Sequence, residues 1–138
     1  MDISILIYDK LAALDAVGPY EVMRNVPGWE VGFVAKQAGE VRAEGGLGLR
    51  ADRSLAEVAA TDLVLVPGGF GSRELMHDEE VLSWLREIDR TTKWTTSVCT
   101  GSLILGAAGL LDGKRATTNW LLVDALREEF GSACLPVN

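Results

Sequence analysis

Two cysteines, Cys99 and Cys134, are all that the 138-residue chain contains. That is too few for a disulfide framework, and their spacing matches no common metal site. A reducing, cytosolic setting fits this usage. Basic residues are scattered as well as outnumbered: 13 Lys and Arg stand against 20 Asp and Glu, for a net charge of −7. With no basic stripe, a nucleic acid is not an expected partner of this chain. No apolar run approaches the length of a membrane span, and Met1-Asp2-Ile3 lacks the basic start of a signal peptide. An internal repeat, a linker, a low-complexity segment, a Walker loop and a complete GxGxxG are all missing. Histidine occurs once, as His77 in a polar stretch ahead of a helix, and reads as a surface residue. What remains is a single soluble domain over residues 1–138. At 48% hydrophobic it can bury a core without staples.

The apolar pattern alternates between strands and helices. Ile3 to Tyr8 (ISILIY) and Asp62 to Val66 (DLVLV) are short, mostly β-branched or aliphatic runs, expected as strands buried on both faces of a parallel sheet. Trp29 to Ala35 alternates like a strand, and Val41 to Ala51, with glycines in mid-run, suggests a hairpin at a sheet edge. Asp78 is placed to cap a helix over Glu79 to Arg90 whose inner face is Val81, Leu82, Leu85 and Ile88. Asn119 to Phe130 predicts an amphipathic helix with Leu122, Ala125, Leu126 and Phe130 inside, and Ala133 to Val137 begins a further strand. Strands alternating with helices predict a doubly wound, mostly parallel α/β sheet with helices on both faces.

Thr95 to Leu111 (TTSVCTGSLILGAAGLL) carries the most chemistry. A strand over Thr95 to Val98, expected to be buried, runs into Cys99. Thr100, Gly101 and Ser102 suit a tight turn, and Leu103 to Ala108 continue as a helix apolar on nearly every side, hence buried. Cys99 is then either a small core residue or a nucleophile beside the bare N–H groups and partial positive charge of a helix N-terminus, where a thiolate is favoured. Two more stretches follow strands and converge on the same sheet edge. Asp15 and Glu21 lie in the turn into the first helix, in which Pro19 is expected only in the opening turn; each acid reads as a dipole-complementing residue or a site residue. Gly68 and Gly69 in PGGFG form either an ordinary strand-to-helix turn or a cradle of open amides for an anion.

LDAVGPYEV (Leu14 to Val22), LVPGG (Leu65 to Gly69) and SVCTGSLILGAAGLLDGKRATTNW (Ser97 to Trp120) together resemble the ThiJ/PfpI superfamily, and within it most resemble the isocyanide hydratases. That resemblance implies a flavodoxin-like fold and a homodimer acting on a small-molecule substrate, with no cofactor and no metal. It assigns Cys99 as nucleophile, Asp15 as its acid–base partner, Thr100 and the amides of Gly68 and Gly69 as pocket groups, and hydration of an isocyanide to an N-formamide as the reaction. The same motifs occur in the sensor half of AraC-type regulators and in general stress or glyoxalase-like members. Two departures stand out. Asn119 occupies a position where relatives commonly carry histidine; an amide is no general base, so its loss is expected to cost packing at most. Relatives also continue past Asn138, so the chain is expected to be an incomplete domain that leans on a partner or on further residues.

Overall fold

Residues 1–131 and the backbone of one last short strand are described by the computed structural model. The chain opens with β1 (Asp2–Leu6), passes through α1 (Ala13–Met23) and returns as β2 (Glu30–Ala35). The glycine-rich stretch that follows folds as a hairpin, β3 (Gly39–Arg42) and β4 (Gly48–Ala51), which forms an antiparallel sheet of its own. Next come β5 (Arg53–Ser54), β6 (Leu63–Val66), α2 (Ser72–Leu75), α3 (Glu79–Asp89), β7 (Trp94–Ser97) and α4 (Gly101–Ala107). The chain then runs through β8 (Arg115–Ala116), α5 (Val123–Phe130) and β9 (Leu135–Pro136), the last paired parallel with β8. The expected strand over Ala133 to Val137 is seen only as β9; residues 132–134, including Cys134, lie outside the described residues, as do residues 137–138.

Five strands form the main sheet in the order β5-β2-β1-β6-β7, and every neighbouring pair is parallel. The crossovers from β1 to β2 and from β6 to β7 run in opposite directions along it. With the right-handed sense such units take, α1 and α3 cover opposite faces. β1 and β6 hold the centre because nearly all their side chains are apolar and buried; Ser4 is the buried polar exception, and Ile3, Ile5, Val64 and Val66 are fully buried. Each such side chain contributes roughly 1.5–3 kcal/mol relative to exposure. Ile5 stands level with Leu65, and Val66 with Ser97, so the C-terminal ends of β1, β6 and β7 open onto one edge.

Two expectations are corrected. The strand that leads into Cys99 is not buried. Among the described residues β7 pairs only with β6, so it is an edge strand with Trp94 exposed and Thr95 to Ser97 half-buried. Pro19 is not in the opening turn of its helix, because α1 already begins at Ala13. Without an N–H, Pro19 leaves the Asp15 carbonyl with no intrahelical donor. The helix continues because packing outweighs that loss: Ala16 is fully buried, and the Tyr20 ring lies 5.1 Å from that of Phe33 on β2.

The cap at Asp78 is as expected. Its side chain accepts the Val81 N–H at 3.4 Å, and Val81, Leu82, Leu85 and Ile88 are all buried beneath α3. Burial pushes the Asp78 carboxyl up, but the Lys36 ammonium at 2.8 Å and the Val81 N–H more than offset this and hold it below the ordinary aspartate range. Asp78→Ala is expected to lower stability by about 1 kcal/mol, as loss of a cap does. A carboxyl whose folded value is depressed stabilises above its unfolded value and loses that contribution as pH falls through the folded one. The gap between wild type and variant in thermal unfolding should therefore shrink on acidification below about pH 4.

Candidate active site

Cys99 follows β7 by one residue and adopts φ 55°; among the described residues only Lys10 shares a positive φ without being glycine. Such a conformation persists where the surroundings over-determine it. Here the Val98 N–H donates to the Val66 carbonyl at 3.0 Å, and the Gly101 N–H turns back to the Val98 carbonyl at 2.9 Å. The Cys99 carbonyl accepts two hydroxyls, Ser102 at 3.3 Å and Thr118 at 3.1 Å. Backbone is therefore pinned on both sides of the thiol. The first turn of α4 can sit this close to the end of β6 because Gly101 has no Cβ; one would collide with the Val66 carbonyl. Cys99 itself is half-exposed, at the strand-to-helix elbow expected from the sequence.

The loop after β6 lies across the elbow and is stitched to the segment after β1. The Tyr8 hydroxyl donates to the Pro67 carbonyl at 2.6 Å, the Ala12 N–H to the Gly68 carbonyl at 2.8 Å, and the Gly71 N–H to the Lys10 carbonyl at 3.0 Å. These bonds aim the two glycine amides. The Gly68 N–H donates to Asp15 Oδ2 at 3.1 Å, and the Gly69 N–H to Thr100 Oγ1 at 3.0 Å. Gly68 thus joins the acid to the thiol: its amide holds Asp15, while a Cβ built on it would lie 3.0 Å from Cys99 Cβ and 2.6 Å from the Thr100 nitrogen. Asp15 sits half-buried in the first turn of α1, and Thr100 is buried. All five expected site residues come together. The amides of Gly68 and Gly69 are not open to an anion, however, since each already holds a side chain.

Glu21 is not part of this cluster; it is exposed on α1 and pairs with Arg24 at 3.2 Å. His77 is exposed, as expected. Two further residues lie by this cluster: Tyr8, which sequence reasoning passed over, and Asn119, which it assigned to packing. Tyr8 is buried against the loop, and its hydroxyl is pushed far above the ordinary tyrosine range by burial, then by the negative charges of Asp15, Cys99 and Glu44. It remains a neutral donor. The signal was available, since Tyr8 is the one polar-tipped residue at the end of an aliphatic central strand. Asn119 is the second: its Nδ2 lies 3.5 Å from Cys99 Sγ. The surface carries two open clefts. One of about 390 Å³ includes Tyr8, Lys36, Gly71 and Leu75, and one of about 330 Å³ includes Thr118, Trp120, Asp124 and Arg127. Cys99 lines neither cleft, but touches the second through Thr118.

Residues 1–134 match the DJ-1/PfpI family. The chain belongs to it. Over 126 residues it is 41% identical to the isonitrile hydratase of Pseudomonas putida, covering 91% of this chain and 55% of that protein. It is also 34% identical over 102 residues to the HTH-type transcriptional regulator CdhR of Pseudomonas aeruginosa, covering 74% of this chain and 30% of the regulator. A crystal structure of a ThiJ/PfpI family protein from Pseudomonas syringae superposes with a TM-score of 0.92 at 32% identity, covering 99% of this chain and 56% of that one. The chain thus spans about half the length of the isonitrile hydratase, and its mostly parallel sheet with flanking helices is the DJ-1/PfpI fold.

Proposed function

We propose that this DJ-1/PfpI domain is the catalytic part of an isocyanide hydratase, converting R–N≡C and water into an N-formamide. The observation that carries the proposal is the positive-φ Cys99 sharing Gly68 with the Asp15 carboxyl. An isocyanide offers one carbon that accepts both a nucleophile and a proton, the two parts this reading gives to Cys99 and Asp15. The scheme requires one proton on the Cys99–Asp15 pair. The thiolate attacks the isocyanide carbon while Asp15 delivers that proton to the same carbon, giving a thioimidate, R–N=CH–S–Cys99. Water then adds to the carbon. Asp15 takes one proton from it and passes this to nitrogen. The C–S bond breaks, the thiolate leaves, and the hydroxyl proton returns to the pair as R–NH–CHO forms. In this scheme the Gly68 amide orients Asp15, the Gly69 amide orients the Thr100 hydroxyl, and Thr100 with its own N–H faces developing charge at the elbow.

The test is to incubate the protein with an aryl or alkyl isocyanide and follow formamide, alongside Cys99→Ala and Asp15→Asn. Formamide that needs both side chains is expected. A second reading rests on the match to the regulator: the domain would bind a ligand without turning it over. Reactive Cys99 with no formamide from any isocyanide would favour that sensing role. The glyoxalase-like alternative has less support, because Asp15 and Asn119 stand where such members use glutamate and histidine.

The proposal includes a homodimer in a cytosolic setting. No helix among the described residues is long and apolar enough to cross a membrane, and Leu14 and Val22 leave apolar area exposed on α1, as an interface would. Gel filtration is expected to give twice the chain mass of 14.8 kDa; a peak at the monomer mass that binds no dye for exposed apolar surface would remove this part.

A further inference from the structure

We propose that Asn119 is a positioning residue for the Cys99 sulfur, supplying an N–H···S bond that does not change with pH. The amide cannot turn over freely. Its Oδ1 accepts the Leu121 N–H at 3.0 Å as the cap of the 3₁₀ turn Trp120–Leu122, which leaves Nδ2 as the end that faces Cys99 Sγ at 3.5 Å. The orientation thus follows from the network rather than from an arbitrary assignment of nitrogen and oxygen. Next to it in sequence, the Thr118 hydroxyl holds the Cys99 carbonyl at 3.1 Å, so two consecutive residues grip the elbow from the side opposite the glycine loop.

An N–H donor favours a thiolate over a thiol, because a hydrogen bond to a charged acceptor is stronger than one to a neutral acceptor. A neutral amide gives that support at every pH, whereas an imidazole there would donate or accept according to its own titration. Among the described residues, the titratable groups near the sulfur are few. α1 supplies Asp15; the segment after β1 supplies Tyr8, which stays neutral and has Glu44 beyond it; the glycine loop supplies no titratable side chain. From α5, Asp124 and Arg127 pair at 3.1 Å and line the cleft beyond Thr118. A single rise of thiol reactivity with pH is therefore expected of the native chain. The inference rests on Cys99 as the nucleophile, and it goes beyond the expectation that Asn119 matters only for packing.

Iodoacetamide alkylation, followed by mass spectrometry of the Cys99 peptide across pH 5 to 9, roughly the range of histidine and thiol titration, reads this without any isocyanide. Asn119→Ser keeps a side-chain oxygen to cap the turn but is too short to reach the sulfur. It should be alkylated about tenfold more slowly near neutral pH, the size expected for losing one charge-assisted hydrogen bond, with little change in melting temperature. Asn119→His should restore a donor and add a second inflection where imidazole titrates. A Ser variant that reacts at the native rate throughout, or a His variant with the native profile, would reduce Asn119 to a cap and overturn the inference. If the alkylation difference appears but no variant makes formamide, the proposed reaction fails and this inference stands. Formamide production with no alkylation difference has the converse meaning.

Discussion

Cys99→Ala is expected to remove isocyanide hydration almost entirely, by a factor on the order of 10⁴ or more, as loss of a covalent nucleophile does. The fold should survive it. Cys99 is half-exposed, and what holds the elbow is backbone: the bonds from Val98 to Val66, from Gly101 to Val98, and from Ser102 and Thr118 to the Cys99 carbonyl, none of which uses the sulfur. Asp15→Asn makes the sharper companion. Asparagine keeps an oxygen for the Gly68 N–H, now at 3.1 Å from the carboxylate, so the loop has no reason to move. It cannot carry a proton, however, and general acid–base catalysis is worth about 10²–10⁴. Steady-state formamide production with melting curves recorded in parallel checks both. Activity that outlives Cys99 would end the nucleophile reading, and an Asp15→Asn enzyme of native rate would remove the carboxyl from the mechanism.

The largest effect on stability is expected at Gly69. Its φ of +133° suits glycine alone, and a Cβ there would lie 2.6 Å from the Lys10 carbonyl oxygen and 2.7 Å from the Leu11 carbonyl carbon, besides meeting the Ala12 nitrogen. All of these are backbone atoms of the segment that stitches the loop in place, so none can swing aside. Strain at such a φ costs on the order of 1–3 kcal/mol and overpacking a similar amount. Gly69→Ala should therefore cost about 3–5 kcal/mol, a fall of more than about 10 °C in Tm for a domain of this size. Gly28→Ala is the matching control. Gly28 also has positive φ, +80°, but nothing lies within 4 Å of its added Cβ, so only the backbone strain remains. Equal Tm values for the two variants would show that crowding at the loop contributes nothing. The Gly69 variant should also lose Cys99 reactivity at temperatures where it is still folded, because the Thr100 hydroxyl loses the amide that holds it.

How much of this could be read in advance depends on how far apart the partners lie along the chain. The strands at Ile3 to Leu6 and Leu63 to Val66, the stripe and cap of α3, and the elbow at Cys99 are local patterns: a run of aliphatic residues, a 3.6-residue period, a strand followed by small residues and an apolar helix. Chain order then fixes the doubly wound topology, because parallel strands need crossovers of one hand. That determines which ends of the strands share an edge, and so why Asp15, Gly68, Gly69, Cys99 and Thr100 meet.

Tertiary structure alone decided what those groups do to one another. The Gly68 amide finds Asp15 across 53 residues, the Tyr8 hydroxyl finds Pro67 across 59, and Asn119 finds the Cys99 sulfur across 20. No periodicity carries such information, since it rests on a few ångströms of backbone placement and on which end of an amide is already taken. Pro19 and β7 went the same way. One is kept inside a helix by the packing of its neighbour Tyr20 against Phe33, and the other, among the described residues, is left at the edge of the sheet beside β6 alone. Residue types and their spacing determined a thiol elbow beside a carboxyl in a parallel α/β domain. Whether the glycine amides face an anion or hold side chains, and whether Asn119 is filler or a donor, is settled by distances that only the folded chain possesses.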